Sequence, residues 1–319
     1  MSVQVSEQVM VPMRDGTRLA SDIYLPDRSG GPWPALLFRT PYGLDPDSVW
    51  DHSARQFAAW GYAAINQDVR GRYRSEGRFQ MEGEGEDGYD TIAWVRAQPW
   101  CNGKIGMWGP SYMAWTQFAA ARQHPPGLIC LFAAVGDHYW HQLSQWGQRS
   151  ALRQLDRHSW FLLVATEDPQ VRKDEHALEQ LQAASAALPN LQPWWDDPRA
   201  GAYPVLDSVL TVPPWAEVWP LREWPLLKLA PDYLPFWQRT FADSGPPPPP
   251  VPGHPESIEI PTFLVGGWFD VFFAGTRGER SGHAGGAVAP AGHRSLGTQS
   301  ARRAEWWYRR RAGCRPGSA

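Results

Sequence analysis

The chain has 319 residues, of which 43% are hydrophobic and 20% charged, so it has enough apolar surface to bury a core and is not a disordered chain. Three cysteines exclude a disulfide-stapled scaffold and favour a reducing compartment, which we take to be the cytoplasm. The net charge of −3 gives no reason to expect a nucleic acid as partner. The apolar runs are far shorter than a membrane span, and the N-terminus shows no signal-peptide pattern.

The first 137 residues alternate predicted strands with predicted helices. Two short strands at 3–13 and 19–25, joined by the turn Arg14–Gly16, predict an N-terminal β-hairpin. Buried strands are then predicted at 35–39, 62–69, 104–108 and 128–135, and helices at 49–60, 86–97 and 112–123. Strands that alternate with helices predict the α/β class, with a mostly parallel sheet.

Residues 138–245 interrupt this alternation, because they are rich in tryptophan and show helical stretches, such as 175–188, between proline-rich turns. We interpret them as a helical cap inserted between strands of the core, with most of its tryptophans packed inside it. Five prolines at 246–250 predict a stiff connector, after which 262–266 predicts another buried strand. The predicted organisation is a first core part at 1–137, the cap at 138–245, a last core part at 246–276, and a tail at 277–319.

The tail differs from the rest of the chain in composition. It holds nine arginines, no lysine and two glutamates, whereas the upstream residues hold 21 basic and 31 acidic side chains. It has few apolar residues, so we interpret it as disordered or as a non-native end, which a change of reading frame just after Thr276 would produce. The alternative is a basic tail that binds nucleic acid or acidic lipid, but we expect neither a nucleic-acid nor a membrane partner.

The segment 104–121 carries the sharpest chemical signal. A predicted strand runs into Gly109-Pro110-Ser111, and a predicted helix leaves at once. A serine on such a turn is exposed above the sheet, and the N–H groups at the helix N-terminus, that of Tyr112 first, can bind a developing oxyanion. The usual hydrolase pattern has glycine two residues after the serine, where this chain has Met113. The alternative is that Ser111 only caps the helix.

Ser111 with its flanking residues resembles the CocE/NonD family of serine hydrolases, relatives of the X-Pro dipeptidyl-peptidases with the α/β-hydrolase fold. Three more segments agree in order and spacing: the opening hairpin at Val11–Pro26, the R-x-P-Y turn at Arg39–Tyr42, and the D-x-R-G-x-x-x-S-x-G loop at Asp68–Gly77. The resemblance covers about residues 1–276. The family's C-terminal jelly-roll-like domain has no counterpart in this sequence.

The resemblance implies a role for each matching residue. Ser111 would be the nucleophile, and the Tyr42 phenol would be the second oxyanion donor beside the Tyr112 N–H. Asp270 would orient the catalytic histidine, in the chain order Ser, Asp, His. The histidine segment of the family is not found, and His293 is the candidate nearest in spacing.

Structural roles are open for the same residues, since Tyr42 could pack in its turn, Asp270 could cap a helix, and Asp68 could hold its loop through Arg70. The sequence predicts a serine hydrolase that cleaves ester or amide bonds of a small molecule or peptide. It predicts no cofactor or metal, because no phosphate-binding glycine loop and no His/Cys cluster occurs. The alternative is a catalytically impaired, truncated relative that lacks the triad histidine and the C-terminal β domain.

Overall fold

A computed structural model describes residues 3–27, 30–136, 160–186, 224–233 and 258–266. Several predicted features lie outside these ranges: the proline connector 246–250, Asp270, His293, the tail 277–319 and the rest of the cap insertion.

Seven strands form one sheet. They are β1 Val3–Pro12, β2 Arg18–Pro26, β3 Trp33–Thr40, β4 Ala63–Asp68, β5 Cys101–Pro110, β6 Leu128–Ala134 and β7 Thr262–Val265. Their order across the sheet is β1-β2-β4-β3-β5-β6-β7. The hairpin β1–β2 and the pair β2–β4 are antiparallel, and every other neighbouring pair is parallel. The prediction of an α/β fold with a mostly parallel sheet is confirmed.

The helices lie close to their predicted positions. They are α1 Val49–Trp60, α2 Glu84–Arg96, α3 Tyr112–Ala121 and α4 Glu175–Ala186, and residues 160–165 are helical as well. Within the described ranges, no helix is long and apolar enough to cross a membrane.

Helix α3 is buried along its whole length, which its sequence YMAWTQFAAA allows because it carries no charged side chain. Helix α2 packs closely against it through two glycines. A Cβ on Gly88 would lie 2.6 Å from the Cβ of Ala120, and one on Gly85 would lie 2.9 Å from the Ala119 carbonyl oxygen. These glycines therefore let α2 approach the C-terminal end of α3 closely.

The described part of the insertion is helical, as predicted, and lies between two neighbouring strands. β6 and β7 pair in parallel, with Phe132 opposite Phe263, so the chain leaves the sheet after β6 and returns to the adjacent position. Phe161 and Trp224 from the insertion share one buried apolar cluster with Phe38 of the core. The boundaries of the four predicted segments stay predictions.

Candidate active site

Ser111 occupies a strained turn between β5 and α3. Its φ of 56° and ψ of −122° lie outside the regions that residues other than glycine usually adopt. The Ser111 N–H donates to the Ala134 carbonyl at 2.8 Å, and the Ser111 carbonyl accepts from the Ala114 N–H at 2.9 Å. The serine side chain makes no capping hydrogen bond. The alternative that Ser111 only caps the helix is therefore wrong.

Small residues around the turn explain how Met113 is tolerated two positions after the serine. A Cβ on Gly109 would lie 2.5 Å from the Cβ of Met113, so only one of these two positions can carry a side chain. Likewise, a Cβ on Gly136 would lie 2.6 Å from the Cβ of Ala114. The departure from the usual pattern thus leaves the strand-to-helix turn intact.

The structure brings Tyr42 to the same end of the sheet as Ser111. β3 and β5 are neighbouring parallel strands, and Tyr42 and Ser111 follow their carboxyl ends. The Tyr42 ring meets the Tyr112 ring edge to face, with centroids 6.5 Å apart and an interplanar angle of 73°. Tyr42 is therefore placed beside the residue that follows the serine.

The Tyr112 side chain is bound beneath the turn by a buried polar network. Its hydroxyl donates to the Glu84 carboxylate at 2.7 Å. Glu84 forms an ion pair with Arg39 at 2.8 Å, with both side chains buried. Arg39 also donates to the side-chain oxygen of Gln67 at 2.8 Å. The network fixes the first residue of α3 to β3 and β4.

Electrostatics determine what Tyr112 can contribute to the site. Burial, and then the neighbouring Glu84 carboxylate, raise the pKa of the Tyr112 phenol well above its ordinary value. Burial also raises the pKa of Glu84, against the lowering effect of Arg39. The phenol of Tyr112 therefore stays protonated, and its hydroxyl is engaged with Glu84 inside the buried network.

Trp160, which the sequence analysis did not single out, joins this group of aromatic rings. Its indole N–H donates to the Tyr42 hydroxyl oxygen at 3.0 Å. Its ring stacks on that of Tyr112, with centroids 6.2 Å apart and an interplanar angle of 14°. The only sequence signal was that Trp160 belongs to the tryptophan-rich insertion.

The loop after β4 corrects one expectation, because Asp68 does not pair with Arg70. Asp68 lies at the buried end of β4 and is bound by Arg74 at 3.0 Å. Arg74 also pairs with Asp22 at 2.9 Å, since β2 places this second buried carboxylate nearby. Arg70 does not contact this pair of carboxylates and instead forms an ion pair with Asp87 of α2 at 2.6 Å.

Arg72 of the same loop connects the core to the insertion. Its buried guanidinium donates to the Pro41 carbonyl at 2.9 Å, the Val164 carbonyl at 2.6 Å and the Tyr233 hydroxyl at 2.8 Å. Pro41 directly precedes Tyr42 in the chain. Arg72 therefore fixes the Tyr42 turn to two segments of the insertion.

Two predicted site residues cannot be placed against this geometry. β7 ends at Val265 on the same edge of the sheet as Ser111, but Asp270 and His293 lie outside the described residues. Among the residues that the structure does describe, no group of three or more His, Cys, Asp or Glu side chains is arranged to hold a metal ion.

A serine at a strained turn between a central parallel strand and a buried helix defines the nucleophile-elbow arrangement of the α/β-hydrolases. The sequence profile described as X-Pro dipeptidyl-peptidase (S15 family) matches residues 15–278. The chain belongs to this family, and its fold is the α/β-hydrolase fold. The resemblance to the CocE/NonD hydrolases and their dipeptidyl-peptidase relatives is confirmed.

Three similar proteins illustrate the relationship. Cocaine esterase from Rhodococcus sp. (strain MB1 Bresler) is 34% identical over 229 residues, which are 67% of this chain and 40% of the esterase. An α-amino acid ester hydrolase structure is 32% identical, with a TM-score of 0.37, over 42% of this chain and 25% of that one. The structure of a CocE/NonD family hydrolase from Staphylococcus aureus is 25% identical, with a TM-score of 0.41, over 44% of this chain and 29% of that one. The chain thus spans less than half the length of each.

Proposed function

We propose that this protein is a serine hydrolase that cleaves an ester or amide bond through an acyl-enzyme on Ser111. One observation carries the proposal: Ser111 sits in a strained turn between β5 and α3, with its side chain not used to cap the helix. Membership of the S15 family supports it. The 34% identity to a protein named cocaine esterase supports ester chemistry in particular.

In the proposed mechanism, the Ser111 hydroxyl attacks the substrate carbonyl carbon while a histidine takes its proton. The tetrahedral intermediate carries its negative charge on the former carbonyl oxygen. The Tyr112 N–H and the Tyr42 phenol O–H donate to that oxygen. The histidine then protonates the leaving alcohol or amine, and water, activated by the same histidine, releases the acid and restores Ser111.

We assign Asp270 as the residue that orients the histidine and His293 as the base. The second assignment requires the tail at 277–319 to be native and to reach Ser111, in place of the disordered or non-native end that its composition indicates. Asp270 follows β7, whose carboxyl end lies at the edge of the sheet that also carries Ser111. His293 follows Asp270 in the chain, which satisfies the order Ser, Asp, His of this fold. A histidine is needed because a serine hydroxyl is a poor nucleophile near neutral pH.

A fluorophosphonate probe tests the nucleophile. We expect the probe to label the full chain on Ser111, and labelling and turnover of a p-nitrophenyl ester to disappear together in Ser111→Ala. Labelling and turnover that survive this substitution would exclude Ser111 as the nucleophile. Comparing a p-nitrophenyl ester with an X-Pro p-nitroanilide tells an esterase from a dipeptidyl-peptidase.

A pair of histidine variants tests the base. We expect His293→Ala to lose turnover to the level of Ser111→Ala, because the serine proton would lose the acceptor that we assign to it. His283→Ala, the matched control ten residues upstream, should keep the activity of the parent. Activity retained in His293→Ala would rule out the assignment of this residue while leaving Ser111 in place.

We further propose that the substrate is a small-molecule ester or amide, or a peptide, and that the enzyme works in the cytoplasm. Cys101 and Cys130 are both free thiols, which suits a reducing compartment. Cell fractionation followed by fluorophosphonate labelling tests the location, and labelled protein found outside the cytoplasmic fraction would contradict it.

A further inference from the structure

The contact between Trp160 and Tyr42 is the observation that leads beyond the proposed mechanism. The Trp160 indole nitrogen lies 3.0 Å from the Tyr42 hydroxyl oxygen. The indole is also stacked on the Tyr112 ring at a centroid distance of 6.2 Å. Trp160 therefore contacts both residues that the mechanism assigns to the oxyanion.

The chemistry of the two groups fixes the direction of this hydrogen bond. An indole N–H can only donate, whereas a phenol can both donate and accept. The Tyr42 oxygen is therefore the acceptor, and its own proton must point away from the indole. A phenol that accepts a hydrogen bond is also a stronger donor, because neighbouring hydrogen bonds polarise each other.

The stacked rings give the contact a defined geometry. The Trp160 and Tyr112 rings are nearly parallel, and the Tyr42 ring meets Tyr112 at 73°. Tyr112 is itself held by Glu84 at 2.7 Å. Tyr112, which the buried network fixes, thus places the Trp160 indole. The indole in turn holds the Tyr42 phenol at a set position relative to the backbone N–H of Tyr112.

We propose that Trp160 is a positioning residue: its indole N–H orients and polarises the Tyr42 phenol so that the O–H donates to the oxyanion formed at Ser111. The inference rests on the proposed function. It predicts an effect on kcat rather than on KM, because the phenol gains its charged partner only in the transition state.

A double-mutant cycle tests the proposal with a p-nitrophenyl ester as substrate. Trp160→Phe keeps an aromatic ring for stacking and removes the N–H together with the five-membered ring of the indole. We expect it to lower kcat about tenfold, and Tyr42→Phe to lower kcat about a hundredfold, the lower end of what loss of one oxyanion donor costs. In the Tyr42→Phe background, Trp160→Phe should have no further effect, because the hydroxyl on which it acts is gone.

Trp224→Phe is the matched control. Trp224 is a buried tryptophan of the same insertion that packs edge to face on Phe161 at 5.6 Å, and it should give the same small change in both backgrounds. If Trp160→Phe lowers kcat by the same factor with and without the Tyr42 hydroxyl, Trp160 is only a packing residue and the proposal is wrong.

A second substitution keeps the test valid if Trp160→Phe does not fold. Benzothienylalanine at position 160 has the shape of tryptophan with sulfur in place of the N–H, and it should give the same tenfold loss of kcat. Full kcat with this residue would overturn the proposal. Turnover that survives Ser111→Ala would instead overturn the proposed function, so the two failures are distinct.

Discussion

Two connections leave the same edge of the sheet, and they differ in how their polar groups are used. In the loop after β4, the Ser75 hydroxyl donates to the Asp68 carbonyl at 2.7 Å and accepts from the Ala20 N–H at 2.9 Å. In the turn after β5, Ser111 adopts a strained backbone and its hydroxyl caps nothing. The comparison teaches that a serine in one motif can be used up by structural hydrogen bonds, whereas the serine in the other is left uncapped at the turn where we propose the nucleophile.

The largest expected effects separate these two serines. Ser111→Ala should lower turnover about 10⁴-fold or more and leave the melting temperature nearly unchanged. Ser75→Ala should keep turnover per folded molecule and cost about 1–3 kcal/mol of stability, because it leaves a buried N–H without its partner. Steady-state kinetics and thermal denaturation of both variants check this, and a Ser75→Ala enzyme that folds normally but is inactive would break the distinction.

The next largest effect is expected from substituting Gly71, which tests whether the loop after β4 stabilises the fold. Gly71 has φ 68°, and a Cβ there would lie 2.1 Å from the Phe79 amide nitrogen. Gly71→Ala should cost about 3 kcal/mol or more, from backbone strain together with the clash.

Gly103→Ala is its control, because Gly103 has φ 84° but nothing within 4 Å of an added Cβ. It should cost only the left-handed strain, about 1 kcal/mol. Chemical denaturation compares the stability of Gly71→Ala and Gly103→Ala. Equal losses would show that the close contact between position 71 and the Phe79 backbone does not contribute to the cost.

Arg72 joins the two regions, so its substitution should affect both. Arg72→Met removes the guanidinium donor of the buried Pro41 and Val164 carbonyls and of the Tyr233 hydroxyl, although Tyr233 still donates to Val164 at 3.3 Å, and should cost about 3 kcal/mol. It should also lower kcat. Arg72 binds the Pro41 carbonyl, which directly precedes Tyr42, so its loss would release the turn that places the Tyr42 phenol. Arg172→Met, which removes an exposed pair with Glu167, is the control and should change little. A stable Arg72→Met enzyme would contradict this connection.

The smallest expected effect is a pH dependence set by Asp68. Burial raises the pKa of Asp68 from its ordinary value of 3.8 to about 6. The folded state therefore holds this proton more tightly than the unfolded state, so the contribution is present below pH 3.8 and is lost as pH rises through 6. The parent should lose about 2 kcal/mol relative to Asp68→Asn between pH 4 and pH 7. Denaturation curves at both values check it, and a constant difference would show that Asp68 titrates normally.

Much of the fold could be predicted because local patterns and tertiary structure agree. Helix α1 was predicted at 49–60 from the helical spacing of its apolar residues and has these bounds. In the structure, Ser48 accepts from the Asp51 N–H at its start, and Gly61 takes a left-handed φ of 98° at its end, so local caps set both ends. The elbow was predicted for a similar reason, because a strand, small residues and a helix adjoin within one segment. The catalytic roles of Ser111, Tyr42, Tyr112, Asp270 and His293 stay predictions until the variants are measured.

Long-range partners were beyond the reach of sequence patterns. Asp68 was expected to pair with Arg70, but the nearby Asp22 of β2 makes Arg74 the common partner of both carboxylates. Trp160 lies 118 positions from the tyrosine that it contacts, and nothing in its neighbouring residues distinguishes it from other tryptophans of the insertion.

The sequence alone determined the alternation of strands and helices, the turn at Ser111 and the family, because each depends on residues close together in the chain. Only the tertiary structure decided which side chains meet at that turn. Contacts such as Trp160 with Tyr42, Tyr112 with Glu84, and Arg72 with Tyr233 arise from packing between distant segments, and no local spacing specifies them.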